Sequence, residues 1–378
     1  MKNNNVNNKI KIPVAEPSLG KEELDNVIEA VKSSWISSKG KFIEEFETNF
    51  AKYCGAKYGI ATSNGTTALH LALVALGIGK GDEVIIPNLT YIATANAVVY
   101  CGAKPVFVDS HPEYWCIDPE KIEKKITSKT KAIIPVHLYG HPADMDPILK
   151  IAKKHNLYVV EDAAESHGAE YKGGKVGSFG DISCFSFFGN KIITTGEGGM
   201  CLTNDKNLVE KMRILRNQGV NPQKKYWHDV VGFNYRMTNI QAAIGVAQLK
   251  KMNQFIKSKR QIKKWYEENL KDLIEKDFIS IQPEMPWAKN VYWMTSILLG
   301  DKFSMKRNDL MDALEQKGIQ TRPVFYPVSI MPPYGIQKEG DFSIAQELSK
   351  TGINLPSSVN LSKEEVKVVC CEIKNLIN

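Results

Sequence analysis

The chain has no run of apolar residues near the ~20 that a membrane-crossing helix needs, and its N-terminus has no apolar signal-peptide core. A membrane partner is therefore not expected. Cysteine is scarce: the seven residues at 54, 101, 116, 184, 201, 370 and 371 are odd in number and never spaced Cys-x-x-Cys. That pattern argues against a disulfide framework and against a zinc ribbon. Several of these cysteines lie in apolar runs, where buried free thiols are common, and a reducing cytoplasm suits such a chain best. No cluster of His, Cys, Asp and Glu has convincing metal-ligand spacing, so no metal is expected. Aromatic residues are missing from the Lys-rich stretch 121–131, which reads as a solvated helix face and turn. No nucleic-acid partner is expected from it. The sequence also has no internal repeat.

What remains is the composition of a globular protein. Of the 378 residues 43% are hydrophobic, enough for a sizeable core and two domains, and 24% are charged. The net charge of +7 is modest and suits an anionic small substrate. An Asn-rich tail over 1–11 is expected to be disordered. From there helical spacing at 21–33 and 42–53 leads into an alternation of short apolar runs and helices. Strands are predicted at 58–62, 83–87, 105–109, 132–136 and 157–161, and helices at 65–76, 91–100 and 146–155. Continuous apolar strands alternating with helices predict a mostly parallel sheet covered on both faces. Its ligand should lie beyond the carboxyl ends of the strands. After residue 203 the pattern changes to long helices at 206–217 and 238–274, a strand-like stretch at 291–299, a helix at 306–317, a Pro-rich loop at 323–333 and a terminal helix at 363–376. The division expected is a large domain over 12–250 and a small C-terminal domain over 251–378.

The stretch 182–199 organises the rest. An apolar run, 182–188, stops at Gly189-Asn190 and presents one lysine, Lys191, before a Gly-rich turn at 195–199. Apolar residues and turns on both sides desolvate an ammonium, which lowers its pKa and favours the free amine that attacks a carbonyl. A lone lysine there would read more simply as a surface residue in a turn, but two other loops change the balance. Thr62-Ser-Asn-Gly-Thr-Thr67 sits between a predicted strand and helix, where small and hydroxyl residues offer unpaired N–H groups to a phosphate, or form an ordinary N-cap. Val159-Val-Glu-Asp-Ala-Ala-Glu-Ser-His167 puts Asp162 directly after a buried strand, where an aspartate wants a cation such as a protonated pyridine nitrogen. Glu165 reaches the same site if a helical turn begins there; an N-cap at Asp162 is the alternative. Ser186 can offer its hydroxyl to a phosphate or cap a turn, and His137 and His167 read as satisfied structural histidines. Phosphate loop, buried aspartate, then lysine is the order that a pyridoxal 5'-phosphate site needs: the lysine bonds the cofactor's aldehyde, and the acid keeps the ring nitrogen protonated.

Four motifs, Glu161-Asp-Ala-Ala-Glu-Ser-His-Gly168, Ser183-Cys-Phe-Ser-Phe-Phe-Gly-Asn-Lys191, Thr195-Gly-Glu-Gly-Gly199 and Gly232-Phe-Asn-Tyr-Arg-Met-Thr-Asn-Ile-Gln-Ala242, resemble the DegT/DnrJ/EryC1/StrS sugar aminotransferases. The resemblance runs from about Ile12 to the C-terminus. It implies an aspartate-aminotransferase-like (type I PLP) α/β fold, a mostly parallel sheet in the large domain and a smaller α+β domain after it, with pyridoxal 5'-phosphate as cofactor. It makes Lys191 the lysine that bonds the cofactor and shuttles the proton, and Asp162 the partner of the pyridinium nitrogen. Gly65, Thr66 and Ser186 would hold the phosphate, and Tyr91 would lie against the ring. Asn234 would reach the phosphate of a neighbouring subunit, which implies an obligate homodimer with shared active sites. Many members have Gln where Glu165 stands, which leaves its hydrogen bond to the ring hydroxyl open. A related dehydratase branch has His in place of the lysine, so Lys191 favours transamination.

Within the family, Tyr226-Trp-His, Thr321-Arg-Pro-Val-Phe-Tyr-Pro327, Met331-Pro-Pro-Tyr334 and Asn354-Leu-Pro-Ser-Ser358 are most similar to a branch that moves an amino group from L-glutamate to C4 of GDP-4-keto-6-deoxy-D-mannose. Arg322 and Tyr326 are the candidate contacts to this nucleotide sugar; a local salt bridge is the alternative for Arg322. A UDP- or dTDP-linked 4-keto sugar is the rival substrate, and a non-catalytic sensor on the same scaffold is the rival class.

Overall fold

The apolar runs of the first 203 residues become seven strands: β1 (Tyr58–Thr62), β2 (Glu83–Pro87), β3 (Lys104–Val108), β4 (Thr130–Ile133), β5 (Tyr158–Asp162), β6 (Ile182–Ser186) and β7 (Gly199–Thr203). The computed structural model describes residues 11–335 and 342–377; of the tail expected at 1–11, residues 1–10 lie outside the described residues. The strands form one sheet in the order β1-β7-β6-β5-β4-β2-β3. All run parallel except β7, which is antiparallel to both of its neighbours. The runs are continuously apolar because both faces are buried. Ile85, Ile133, Val159 and Phe185 point into one core cluster, while Val84, Ala132, Val160 and Ile182 point into another. The fourth strand stops at Ile133 rather than Val136, since Pro135 has no N–H to continue the ladder.

Helix Gly65–Ala75 follows β1, with the Asn64 side chain accepting from the Thr67 N–H as its N-cap. Helix Ala93–Tyr100 follows β2, and helix Met145–His155 precedes β5. This winding brings segments 62–67, 88–94, 162–165 and 186–191 together at the carboxyl edge of the sheet.

Helix Asn239–Asn269 runs unbroken for 31 residues and ends at Leu270, short of the predicted 274, before a separate turn of helix, Lys271–Glu275. None of the described helices is long and apolar enough to cross a membrane. A second, antiparallel sheet follows in the order Ile279–Ile281, Thr295–Leu299, Gly352–Leu355, Arg322–Pro323. The strand predicted at 291–299 begins only at Thr295, because Tyr292 takes a positive φ of 49° and the Asn290 side chain turns back onto its N–H. Helix Ser343–Thr351 was not anticipated. Its N-cap, Phe342, has no capping side chain. The cap comes instead from a distant residue, as the buried carboxylate of Asp109 at the end of β3 accepts the N–H groups of Ile344 and Ala345. Apolar residues of this half, among them Ile262, Tyr266, Ile297, Ile353 and Val369, form a third cluster that also takes in Ile12, whose backbone bridges to Ile319.

Lys259, on the inner face of the long helix, is 3% exposed. Its amine donates to the carbonyls of Trp293 (2.9 Å) and Ser357, tying two C-terminal segments to the helix. Burial pulls its pKa down from 10.5 to about 7. In the unfolded chain the amine stays protonated up to about 10.5, so across the window from 7 to 10.5 unfolding takes up a proton. Stability conferred at this site therefore rises with pH through that window and is flat below it. In denaturant melts, the difference between Lys259→Met and wild type should move in the wild type's favour as pH rises through the window. A difference that does not change with pH would show that the amine is charged in the fold.

Candidate active site

A pocket of about 400 Å³ opens at the carboxyl edge of the large sheet. Gly65, Thr66, Tyr91, Asp162, Glu165, Ser186 and Lys191 line it from the sheet side, and Trp293, Arg322 and Phe325 from the C-terminal half. A larger groove of about 790 Å³ lies along the long helix, but its charges are mostly matched in ion pairs such as Arg260–Glu284 and Lys289–Glu170. It contains none of the candidate catalytic, cofactor or substrate residues named from the sequence.

Asp162 is the last residue of β5 and is buried. One carboxylate oxygen accepts the Thr94 hydroxyl at 2.7 Å and the other the Ala164 N–H at 3.2 Å. Burial still raises its pKa above the ordinary aspartate range, although the Thr94 hydrogen bond and the nearby Lys191 charge oppose this. Glu165 lies one turn further on. Its Oε2 accepts the Tyr139 N–H at 2.8 Å, and its Oε1 is 3.9 Å from the Lys191 amine. Burial pushes the Glu165 carboxyl up to about 7 against the pull of Lys191. Burial also lowers the Lys191 pKa; Glu165 and Asp162 oppose that and Arg322 assists it. The amine lies over the indole of Trp293, 3.8 Å from the ring centroid, and the indole N–H is fixed on the Asn190 carbonyl at 2.7 Å.

The start of helix Gly65–Ala75 comes hard against the end of β6. A Cβ at Gly65 would sit 2.7 Å from the Ser186 Cβ, so only glycine fits there. The leading N–H groups of this helix have no preceding turn to bind and face the same space as the Ser186 side chain. Tyr91 is exposed at the mouth, its ring 5.7 Å from that of Phe325. Arg322 is exposed beside them and, among the described residues, forms no salt bridge.

Two expected site residues lie outside this pocket. Asn234 is exposed on a loop where Tyr226 and Val231 are 95% and 90% exposed, and its side chain accepts the Arg236 guanidinium at 2.9 Å. Tyr326 points away toward Arg307, its hydroxyl 3.5 Å from the guanidinium. Of the histidines, His137 is satisfied: its ring nitrogens meet Glu161 at 3.1 Å and the Ala143 N–H at 3.0 Å. His167 is not satisfied as expected. Neither of its ring nitrogens reaches hydrogen-bond geometry with a described residue, although the nearby Ser186 backbone weakly opposes the effect of burial. It packs against Phe50, Phe185 and Phe187, and burial draws its pKa down to about 3, so it is held neutral. Sequence reasoning missed Thr94, Tyr139 and Trp293. Only Thr94 left a signal, as a hydroxyl one helical turn beyond Thr90.

A helix start open to an anion, a buried acid short of a cation and an amine whose pKa burial lowers are complementary to one cofactor, pyridoxal 5'-phosphate. On this sheet they make the molecule an aspartate-aminotransferase-like enzyme, an aminotransferase dependent on that cofactor. The model of the DegT/DnrJ/EryC1/StrS aminotransferase family matches residues 17–374, and the chain belongs to that family. It is 51% identical to the GDP-perosamine synthase of Caulobacter vibrioides, over 97% of this chain and 98% of that one. Identity to the GDP-perosamine synthase of Escherichia coli O157:H7 is 52%, over 95% and 96% of the two chains. Among solved structures it resembles an aminotransferase from Psychrobacter cryohalolentis with a TM-score of 0.90 and 34% identity, over 96% of this chain and 98% of that one.

The Lys191–Glu165 pair makes a direct test of the site's electrostatics. Glu165→Gln keeps the shape and removes the negative charge that supports a protonated Lys191, so the lysine's pKa should fall further. The pH dependence of Lys191 labelling by an amine-reactive probe, in cofactor-free protein, measures this. An unchanged midpoint would mean that the carboxyl carries no charge in the pocket.

Proposed function

We propose that the protein transfers the amino group of L-glutamate to C4 of GDP-4-keto-6-deoxy-D-mannose, giving GDP-perosamine and 2-oxoglutarate, and that it works as a homodimer in the cytoplasm. The observation that carries this reading is its half-identity, along almost the whole chain, to proteins named GDP-perosamine synthase. The residues that line the pocket fit this chemistry. When bound, pyridoxal phosphate supplies the carbonyl that takes up the amino group and a ring that accepts electrons.

Lys191, with its pKa lowered by burial, is the amine that anchors the cofactor and moves the proton at the reacting carbon. Asp162, oriented by Thr94 and Ala164, would hold a proton on the ring nitrogen. The N–H groups at Gly65 and Thr66, with the Ser186 hydroxyl, take the phosphate. Tyr91 would lie against the cofactor, and Glu165 would be available to its ring hydroxyl. Trp293 keeps the lysine amine from drifting. Arg322 at the mouth offers paired hydrogen bonds to the nucleotide sugar. Tyr326 is assigned to the same substrate, reaching it by turning from Arg307. The pocket lies where a large domain, 12–250, meets a small one, 251–378.

Asn234 is assigned to the partner's site. Its place outside its own pocket, on a loop with exposed apolar side chains at 226 and 231, supports a role across a subunit interface. Lys191→Ala and Asn234→Ala subunits, each inactive or impaired alone, should regain part of the activity when mixed. A mixed dimer gathers both lesions into one site and leaves the other intact. Verified heterodimers without rescue would place Asn234 in its own chain's site.

Steady-state kinetics with GDP-, UDP- and dTDP-linked 4-keto-6-deoxy sugars test the substrate. A polar site shaped for guanine leaves donors and acceptors unpaired when a pyrimidine enters, and the GDP sugar should lead in kcat/KM by up to ~10⁴-fold. A higher kcat/KM for a UDP or dTDP sugar would overturn the GDP assignment and leave the aminotransferase standing.

A further inference from the structure

Tyr139 does not line the pocket, yet it touches both sides of it. It is fully buried at the centre of the turn Leu138–Gly140. Its backbone sits at φ 54°, ψ 17°, in the left-handed region. A bulky residue stays there only when its surroundings over-determine it, and such strain clusters at functional sites.

The surroundings are all specific contacts. Gly140, at φ 102°, brings the turn so close to the C-terminal half that a Cβ would lie 2.8–2.9 Å from Val291, Tyr292 and Trp293. The Val291 N–H donates to the Gly140 carbonyl at 3.2 Å. On the sheet side, the Tyr139 N–H holds Glu165 Oε2 at 2.8 Å, leaving Oε1 toward Lys191. On the other side, the Tyr139 hydroxyl oxygen accepts the Phe325 N–H at 2.9 Å. The ring lies between two pocket walls, stacked on Trp293 (centroids 6.0 Å apart, planes at 15°) and on Phe325 (5.1 Å, 28°).

We propose that Tyr139 is a positioning residue that locks the Trp293–Phe325 wall, which faces the substrate and the Lys191 amine, to the Glu165 side of the same pocket. The inference rests on the reading of this pocket as a nucleotide-sugar aminotransferase site. Two of these contacts, the hydroxyl's and the ring's, divide the labour. The hydroxyl fixes Phe325, which stands at the mouth with Tyr91 and away from the lysine. The ring fixes Trp293, which lies against the lysine. The charged or titratable groups that face Glu165 and Lys191 here are Asp162, Arg322, the buried imidazole of His167 and the buried thiol of Cys116. Tyr139 itself stays neutral, since burial drives its phenol pKa well above the ordinary value.

Two variants separate this role from ordinary core packing. Tyr139→Phe keeps the ring and the backbone N–H and leaves the half-buried Phe325 N–H without its Tyr139 acceptor. The loss falls on substrate binding, so KM for the GDP-linked keto sugar should rise about 10-fold while kcat stays within about 3-fold. Tyr139→Leu removes the stack on Trp293. The pH midpoint of the bound cofactor's absorbance, recorded without substrates, should then move by about half a unit or more, and kcat should fall. An unchanged KM in Tyr139→Phe overturns the proposal, whatever kcat does. So does a Tyr139→Leu protein that melts earlier but keeps the wild-type absorbance midpoint. If Tyr139→Leu fails to fold, Tyr139→Phe decides alone. Should the wild type turn over none of the nucleotide sugars, the functional reading fails, and the absorbance midpoint still tests Tyr139.

Discussion

Three largely buried ionisable side chains, Asp162, Glu165 and Lys191, share one pocket, and removing charge from water is the constraint to which the rest of the structure answers. Each is relieved differently. Asp162 has two donors, Thr94 and Ala164, which suffice to orient a carboxylate but not to neutralise it, so it stands ready for a cation. Glu165 has one backbone donor and a carboxyl raised to about 7, close to holding its proton. Lys191 has the face of Trp293 and a carboxylate 3.9 Å away, and its pKa is lowered. The shifts of lysine and glutamate have the same cause and opposite sense, so the pair moves toward sharing one proton. Burial shifts the lysine toward its free, nucleophilic amine, and the carboxyl edge of a parallel sheet is where backbone geometry can deliver all three groups to one point.

The sheet side of this arrangement could be read from the sequence because its signals are local. Strand ends, glycines and N-caps lie within a few residues of the groups they position: Ser186 and Lys191 flank one turn, and Asp162 and Glu165 occupy another. Strands β1 and β2 matched their apolar runs residue for residue. Where the ladder stopped early, at Ile133, the proline responsible was visible in the sequence, but its effect depends on which neighbour needs the N–H.

The C-terminal side was less legible, and the reason is physical. Trp293 reaches the lysine because a strand predicted from 291 is interrupted by Tyr292 in a left-handed conformation, a feature that β-propensity does not register. Helix Ser343–Thr351 depends on a cap from Asp109, more than two hundred residues away. Lys259 reads as one more basic residue in a Lys-rich helix. Only the fold places its amine among the carbonyls that hold Trp293. Arg322 was visible through its motif, whereas Tyr326, four residues on, points out of the pocket toward Arg307. Within a strand-and-turn segment this short, side-chain direction depends on the backbone path, which the letters alone do not fix.

The choice of an acid at position 165 follows from the same constraint. A glutamine would meet the Tyr139 N–H equally well through its carbonyl oxygen and would add no charge to the pocket. The carboxyl adds a group that titrates near neutrality and lies beside the amine whose protonation decides reactivity. Each raises the other's tendency to ionise, so neither has a pKa of its own and the two titrate as a pair. The lysine is thereby reactive over a pH range set by two side chains and by the wall that excludes water from them. That wall is built from Trp293 and Phe325 and backed by Tyr139, so the electrostatics of the sheet edge depend on packing contributed by the other half of the chain.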